Sequence, residues 1–199
     1  MASLFTSLKE TLASSGYEEK SKKAREWFRE EIRSLSINRK SVLNDEELKK
    51  VKTPKRGFMY MYVYDPKMKK VLPYYDRFPL TILVQPDENK TGFYGLNLHY
   101  LNPITRAVFL DKLFETMSST NEPEENTRLR IRYQLISTVK KYREFRPCFK
   151  HYLFDHIRTQ LSLVPATNWE VAMFLPTEHF KGKRKEGVWL ESLKIYRKA

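Results

Sequence analysis

Asp76 followed by Glu88-Asn89-Lys90 supplies the residue types of a magnesium-dependent nuclease: carboxylates to hold the ion and a lysine to assist the attacking water. That chemistry needs the Glu and the Lys on a rigid strand facing a cleft. Here both fall in residues 85–92 (QPDENKTG), a polar stretch of hairpin-loop composition, so a nuclease ranks third among the possible functions. His151 and His156 are five apart, which on a helix sends them to different faces and denies them a shared metal. His99 lies in an expected strand and reads as a hydrogen-bonded, partly buried residue rather than a base. Cys148, the only cysteine, follows Pro147 at an expected helix start and has no partner constellation. No glycine-rich phosphate loop, serine elbow or paired-histidine motif is present. No enzymatic activity, metal or cofactor is expected.

Phosphate recognition is the chemistry for which the chain is best equipped. Three basic groups fall in its last third: Arg128, Arg130 and Arg132; Lys140, Lys141 and Arg143; and Lys181, Lys183, Arg184 and Lys185 within residues 181–187 (KGKRKEG). Duplex DNA presents a dense row of phosphates that Lys and Arg engage by charge and counterion release, without reading bases. Gly182, lacking a side chain, would let the backbone approach a phosphate closely. Ordinary surface charge accounts for any one cluster equally well. The whole set is harder to explain that way, because residues 127–199 carry 16 basic and 6 acidic groups, net +10. Residues 1–57 carry 14 and 9, net +5, and residues 58–126 carry 7 and 9, net −2. The overall +13 is therefore a basic surface around a nearly neutral middle, suited to a nucleic acid or an acidic protein partner.

The elements that must carry these groups follow from periodicity. Ala24, Trp27, Phe28, Ile32 and Leu35 place one apolar stripe on an otherwise charged helix over residues 18–35. Residues 36–57, with Pro54 and the run Lys49, Lys50, Lys52, Lys55, Arg56, have linker composition. Residues 58–64 (FMYMYVY) alternate aromatics with Met59, Met61 and Val63, as in a strand whose two faces are each covered by one class. Residues 80–84 and 93–101 are two further strands. From Asn102, a cap followed by Pro103, helical spacing returns: Leu110, Leu113, Phe114 and Met117, then Ile131, Leu135, Val139 and Tyr142, then Phe149, Leu153, Ile157 and Leu161. Thr167-x-x-Glu170 resembles a capping box before a short element that suits helix or strand equally. The expected fold is α+β: a small antiparallel sheet of three or four strands followed by three or four helices. Residues 1–57 form an N-terminal helical arm and basic linker, and residues 58–199 an α+β domain with a basic C-terminal third.

The 14% aromatic content excludes a disordered basic tail, since such rings are what a chain buries to offset its ordering entropy. A single cysteine excludes an internal disulfide and fits reducing cytoplasm. The longest uncharged runs fall well short of the roughly 20 apolar residues of a membrane span, and residues 1–12 lack the pattern of a signal peptide. A soluble protein is expected, with no membrane partner. The tyrosines at 60, 62, 64, 74, 75, 94 and 100 read as core in preference to stacking platforms, because they are not interleaved with basic residues. Residues 73–79 (PYYDRFP) form a proline-bracketed turn that would anchor the sheet or meet another subunit.

Five blocks carry a resemblance: residues 64–67 (YDPK), 72–80 (LPYYDRFPL), 92–100 (GFYGLNLHY), 147–152 (PCFKHY) and 169–180 (WEVAMFLPTEHF). In them the sequence resembles the DNA end protector, or head-completion, family of T-even-type tailed bacteriophages. The blocks span most of residues 58–180, and none is a catalytic motif. The resemblance implies a virion protein, assembled in host cytoplasm, that binds the ends of packaged linear double-stranded DNA and shields them from host exonuclease. It also permits a homo-oligomer, and portal, neck or tail components as partners. The alternative reading is a structural component of the neck or baseplate. The resemblance does not identify binding residues, and the arm and the cluster at 181–185 lie outside its blocks.

Overall fold

Residues 3–19, 21–32, 35–117 and 143–197 are described by the structure, a computed structural model. Three helices come first: α1 (Leu4–Ser14), α2 (Lys22–Glu31) and α3 (Arg39–Leu43). Five strands follow: β1 (Lys49–Val51), β2 (Met59–Met61), β3 (Tyr75–Asp76), β4 (Leu80–Pro86) and β5 (Gly92–Asn97). After α4 (Pro103–Met117) come β6 (Phe149–Leu153), β7 (Leu161–Val164), α5 (Trp169–Phe174), β8 (Phe180–Lys181) and α6 (Lys185–Arg197). Six strands form one antiparallel sheet in the order β1-β7-β2-β4-β5-β6, while β3 and β8 form a separate two-stranded ribbon.

Alternation in the sequence gives the sheet two chemically different faces. Met59 and Met61 join Leu80, Ile82, Val84 and Leu96 in one buried cluster, together with Phe5, Leu12, Ala24 and Phe28 from α1 and α2. Phe109 and Leu110 of α4, Val171 to Phe174 of α5 and Val188 of α6 belong to the same cluster. The opposite face is aromatic: Tyr60, Tyr62, Tyr64, Phe93 and Tyr152 cluster there, and Tyr62 meets Tyr64, Phe93 and Tyr152 edge to face, as does Tyr64 with Tyr152, centroids 4.9 Å apart. Of the side-chain caps at the helix starts, the sequence marks Asn102 alone; α5, where a capping box from Thr167 to Glu170 is expected, begins without a side-chain cap. Ser3 accepts from the amides of Phe5 and Thr6, Ser21 from Ala24, and Asn102 from Thr105 at 2.9 Å.

The expectation of a small, three- or four-stranded sheet is wrong, and two physical reasons account for it. Phe149, Leu153, Ile157 and Leu161 are spaced by four, which is close to one helical turn and also two full strand repeats. They occupy β6, a bridge from Ile157 to Tyr64, and β7, with a 3-10 turn at Phe154–His156 between. The lysine run expected to be linker contains β1, an edge strand whose Lys49 and Lys50 are exposed. Charged residues on an edge strand discourage pairing with another chain, so edge and linker compositions look alike. The first helices pack on the sheet, with Phe28 and Ile32 buried in the same core. The stripe at 131–142 lies outside the described residues.

Close pairing of β5 with β6 depends on Gly92, where a Cβ would stand 2.1 Å from the carbonyl oxygen of Tyr152. Gly92→Ala is expected to cost about 1–3 kcal/mol. Thermal unfolding should then fall by roughly 2–4 °C for each kcal/mol in a domain of this size. An unchanged Tm would show that the edge strand yields freely.

Candidate nucleic-acid interface

Two buried polar networks hold the segments that present the basic loop. Asp76 Oδ2 lies 2.7 Å from His99 Nδ1 and accepts from Asn97 Nδ2 at 3.0 Å, while Oδ1 accepts from the amides of Phe78 and His179. His99 Nε2 lies 3.1 Å from Thr177 Oγ1. Burial pushes the Asp76 carboxyl up, but the charge and hydrogen bond of His99, with those of Phe78 and Asn97, outweigh it and hold the group below its ordinary value. Carboxylate, imidazole and hydroxyl in a row are the parts of an activated nucleophile. Here His99 and Thr177 are fully buried and Asp76 is 3% exposed, so no substrate reaches the hydroxyl and the row is structural. The second network centres on Arg106, which is fully buried and pairs with Glu178. It also donates to the carbonyls of Leu98, Leu101 and Met173 at 2.8–3.0 Å.

These networks set the ribbon of β3 and β8, in which Tyr75 faces Lys181 and Asp76 faces Phe180. Gly182, at φ +87°, follows directly, and a Cβ there would stand 2.5 Å from the carbonyl oxygen of Pro73. The freedom of this glycine therefore serves packing against the proline turn, where the sequence suggested approach to a phosphate. The four basic residues of the loop divide into two kinds. Lys181 and Arg184 are exposed. Lys183 pairs with Glu191 and lies 5.3 Å from the Tyr74 ring, and Lys185 lies 3.9 Å from Glu178 Oε2 and 5.5 Å from the Trp189 ring. Arg143 opens the 3-10 segment Arg143–Cys148. Arg128, Arg130, Arg132, Lys140 and Lys141 lie outside the described residues.

The other candidate groups are dispersed. Glu88 and Lys90 are exposed in the β4–β5 hairpin loop. Asp76 bonds Asn97, at the far end of β5 from that loop, and a strand advances about 3.3 Å per residue. Among the described residues no three His, Cys, Asp or Glu side chains are grouped to hold a metal. His151, on a strand and not a helix, meets Asp87 Oδ2 at 3.0 Å, and His156 meets the carbonyl of Asp65 at 2.8 Å. Cys148 is buried, and desolvation pushes its thiol pKa far up. Among the tyrosines, Tyr60, Tyr62, Tyr64 and Tyr100 are buried, whereas Tyr74, Tyr75 and Tyr94 are half-exposed. Two cations escaped the reading of the sequence: Arg106 and Lys150. The one available signal for Arg106 is that it is the only charged residue in the first half of α4, between Ile104 and Val108.

A basic loop exposed over a core whose polar groups serve packing suits a protein that binds a polyanion. Over residues 1–199 the chain matches the family model described as the phage T4 terminal DNA protecting protein, so it belongs to that family, whose members protect DNA ends. Neither the curated proteins nor the solved structures compared with the chain match it. Among the described residues no helix is long and apolar enough to cross a membrane.

Because the Asp76 carboxyl sits below its ordinary value of 3.8, the stability it contributes is fully present above that pH and is lost as pH falls below it. Asp76→Asn is expected to lower stability at pH 7 by about 3 kcal/mol, since His99 would lose its buried partner. It should also flatten the fall in unfolding midpoint below pH 3.8. Urea titrations from pH 7 to pH 2 would reveal both effects, and a variant parallel to the wild type throughout would remove Asp76 from the account.

Proposed function

We propose that this protein shields the ends of packaged linear double-stranded DNA from host exonuclease by occupying them, without catalysis, and that it acts within the virion in head completion. The basic residues of the last third supply the contact. The observation that carries this reading is the exposure of Lys181 and Arg184 on a loop whose backbone is held by the β3–β8 ribbon. A fixed backbone with free cations meets phosphates at little ordering cost. Lys183 and Lys185 support the loop through Glu191 and Glu178, and contribute to the field without being free to reach out.

Contact with other virion proteins, such as portal, neck or tail components, is favoured by a different observation. The helices α4 and α6 leave Ile104 and Leu190 exposed, at 63% and 59%, beside a groove formed by Leu101, Val108, Trp189 and Leu193. Exposed apolar residues around a groove are the usual mark of a protein contact. The structural reading as a neck or baseplate component rests on that groove, and the end-protecting reading on the basic loop.

Binding to a blunt linear duplex should exceed binding to a circular duplex of the same sequence. Its logarithm should fall with the logarithm of salt by roughly 0.9 per phosphate engaged. Lys181→Glu with Arg184→Glu should make that slope shallower by about 0.9 for each phosphate no longer engaged, and should expose a labelled end to exonuclease. Equal binding to linear and circular duplex would leave the structural reading in its place. An unaltered slope in the double variant would clear the loop of DNA contact.

A further inference from the structure

Lys150 lies in edge strand β6 opposite Gly95, on the tyrosine face of the sheet. Its ammonium is 4.1 Å from the centroid of the Tyr100 ring, and burial lowers its pKa from the ordinary 10.5. Lys9, Lys69, Lys183 and Lys185 all have a carboxylate within 4 Å, whereas Lys150 has none among the described residues. Asp76 lies in the same wall, but both of its carboxylate oxygens are committed to inward donors. A half-buried cation set over a ring, without a carboxylate within 4 Å among the described residues, is incompletely satisfied, and an anion brought to it recovers the deficit.

The space beside Lys150 is a cleft of about 330 Å³, with Tyr64, Tyr74, Tyr75, Tyr100 and Tyr152 in its walls. Clefts that bind small molecules run from about 300 to 1,000 Å³. This one accordingly suits a single nucleotide and is too small for a base pair. Rings stack on any base without reading its identity, which suits a site that must accept an end of any sequence. The mouth of the cleft adjoins the basic loop: Tyr75 pairs across the ribbon with exposed Lys181, and Lys183 stands over Tyr74.

We propose that this cleft receives the terminal nucleotide of a DNA strand, with its base against the tyrosine rings and its terminal phosphate monoester on Lys150. The inference rests on the end-binding reading above and specifies what the protein recognises there. A terminal monoester carries about −1.5 to −2 charges at neutral pH, more than the single charge of a diester within a strand. Only a chain end enters a one-nucleotide cleft with a single strand leaving it. The last pair of a duplex is stacked on one side alone and opens more readily than any interior pair.

Anisotropy titrations of the full chain test this with short blunt duplexes whose ends carry a 5′-phosphate, a 3′-phosphate or only hydroxyls, alongside a circular duplex. A phosphorylated end should bind about tenfold more tightly than a hydroxyl end. Preference for either phosphate supports the proposal and sets the polarity of the strand received. Lys150→Met and Tyr75→Ala should each erase that difference, while Glu10→Ala, exposed on α1, which packs on the methionine face, should leave it intact. On the wild-type protein, which keeps the test decisive if a variant does not fold, deoxyadenosine 5′- or 3′-monophosphate should displace the duplex end better than deoxyadenosine or inorganic phosphate. A linear-over-circular preference that ignores the terminal phosphate, or an end that neither mononucleotide displaces, overturns the cleft while leaving end binding in place. Equal affinity for linear and circular duplex overturns the end-binding reading itself.

Discussion

The guanidinium of Arg106 has no water to fall back on, and the arrangement of the chain around it follows from that. Removing such an ion from water costs several kcal/mol even after relaxation. The cost is offset only because three separate stretches bring acceptors to α4, which carries it: the turn at residues 98–101, the end of α5 at Met173, and the carboxylate of Glu178. Losing one partner of a buried pair of this kind costs about 3–5 kcal/mol, a large share of the 5–15 kcal/mol by which ordinary domains are stable. Glu178 is two residues from β8, so the same pair fixes where the ribbon begins. The His99 carbonyl also accepts from Trp189 Nε1 at 2.8 Å, which brings α6 into the same frame. The placement of the basic loop is thus a consequence of how an interior charge is satisfied.

The two faces of the sheet divide the work. The methionine and aliphatic face lies under helices from both ends of the chain and supplies most of the buried apolar area. The tyrosine face remains partly open along β6, where a cleft lined by tyrosines also holds Lys150. Desolvation pushes the phenol pKa values of Tyr62, Tyr64, Tyr100 and Tyr152 upward, and that of Tyr74 to about 12. None of these hydroxyls ionises near neutral pH, so none cancels the field of the lysines beside them.

How much of this was legible in the sequence depends on the kind of interaction. The alternation of residues 58–64 told correctly which residue types share a face, because period two depends only on neighbouring peptides. Asn102 with Pro103 marked a helix start for the same local reason. What stayed hidden was relational. Phe149 to Leu161 obey helical and strand spacing together, and only their partners on β5, β2 and β1 decide between the two. Of the basic set in the last third, Lys183 and Lys185 looked identical in sequence to Lys181 and Arg184. Their carboxylate partners, Glu191 and Glu178, are assigned by folding, and no spacing rule announces them. The isolation of Lys150 in a cleft is likewise a property of the folded surface.

The place of β7 between β1 and β2 has a consequence for the life of the chain before it is folded. Residues 49–51 and 59–61 pair with residues 161–164, and Met59 sits opposite Val164. At synthesis rates of about 5–20 residues per second, those two N-terminal strands wait on the order of 5–20 s for their partner to emerge. In that interval the methionine and tyrosine faces are uncovered, and the edge that β2 will give to β7 is open to any neighbouring chain. The lysines that flank this region, at positions 49, 50, 52 and 55, keep nascent copies apart by mutual repulsion. The charge excess that clothes the finished surface thus also protects the unfinished one.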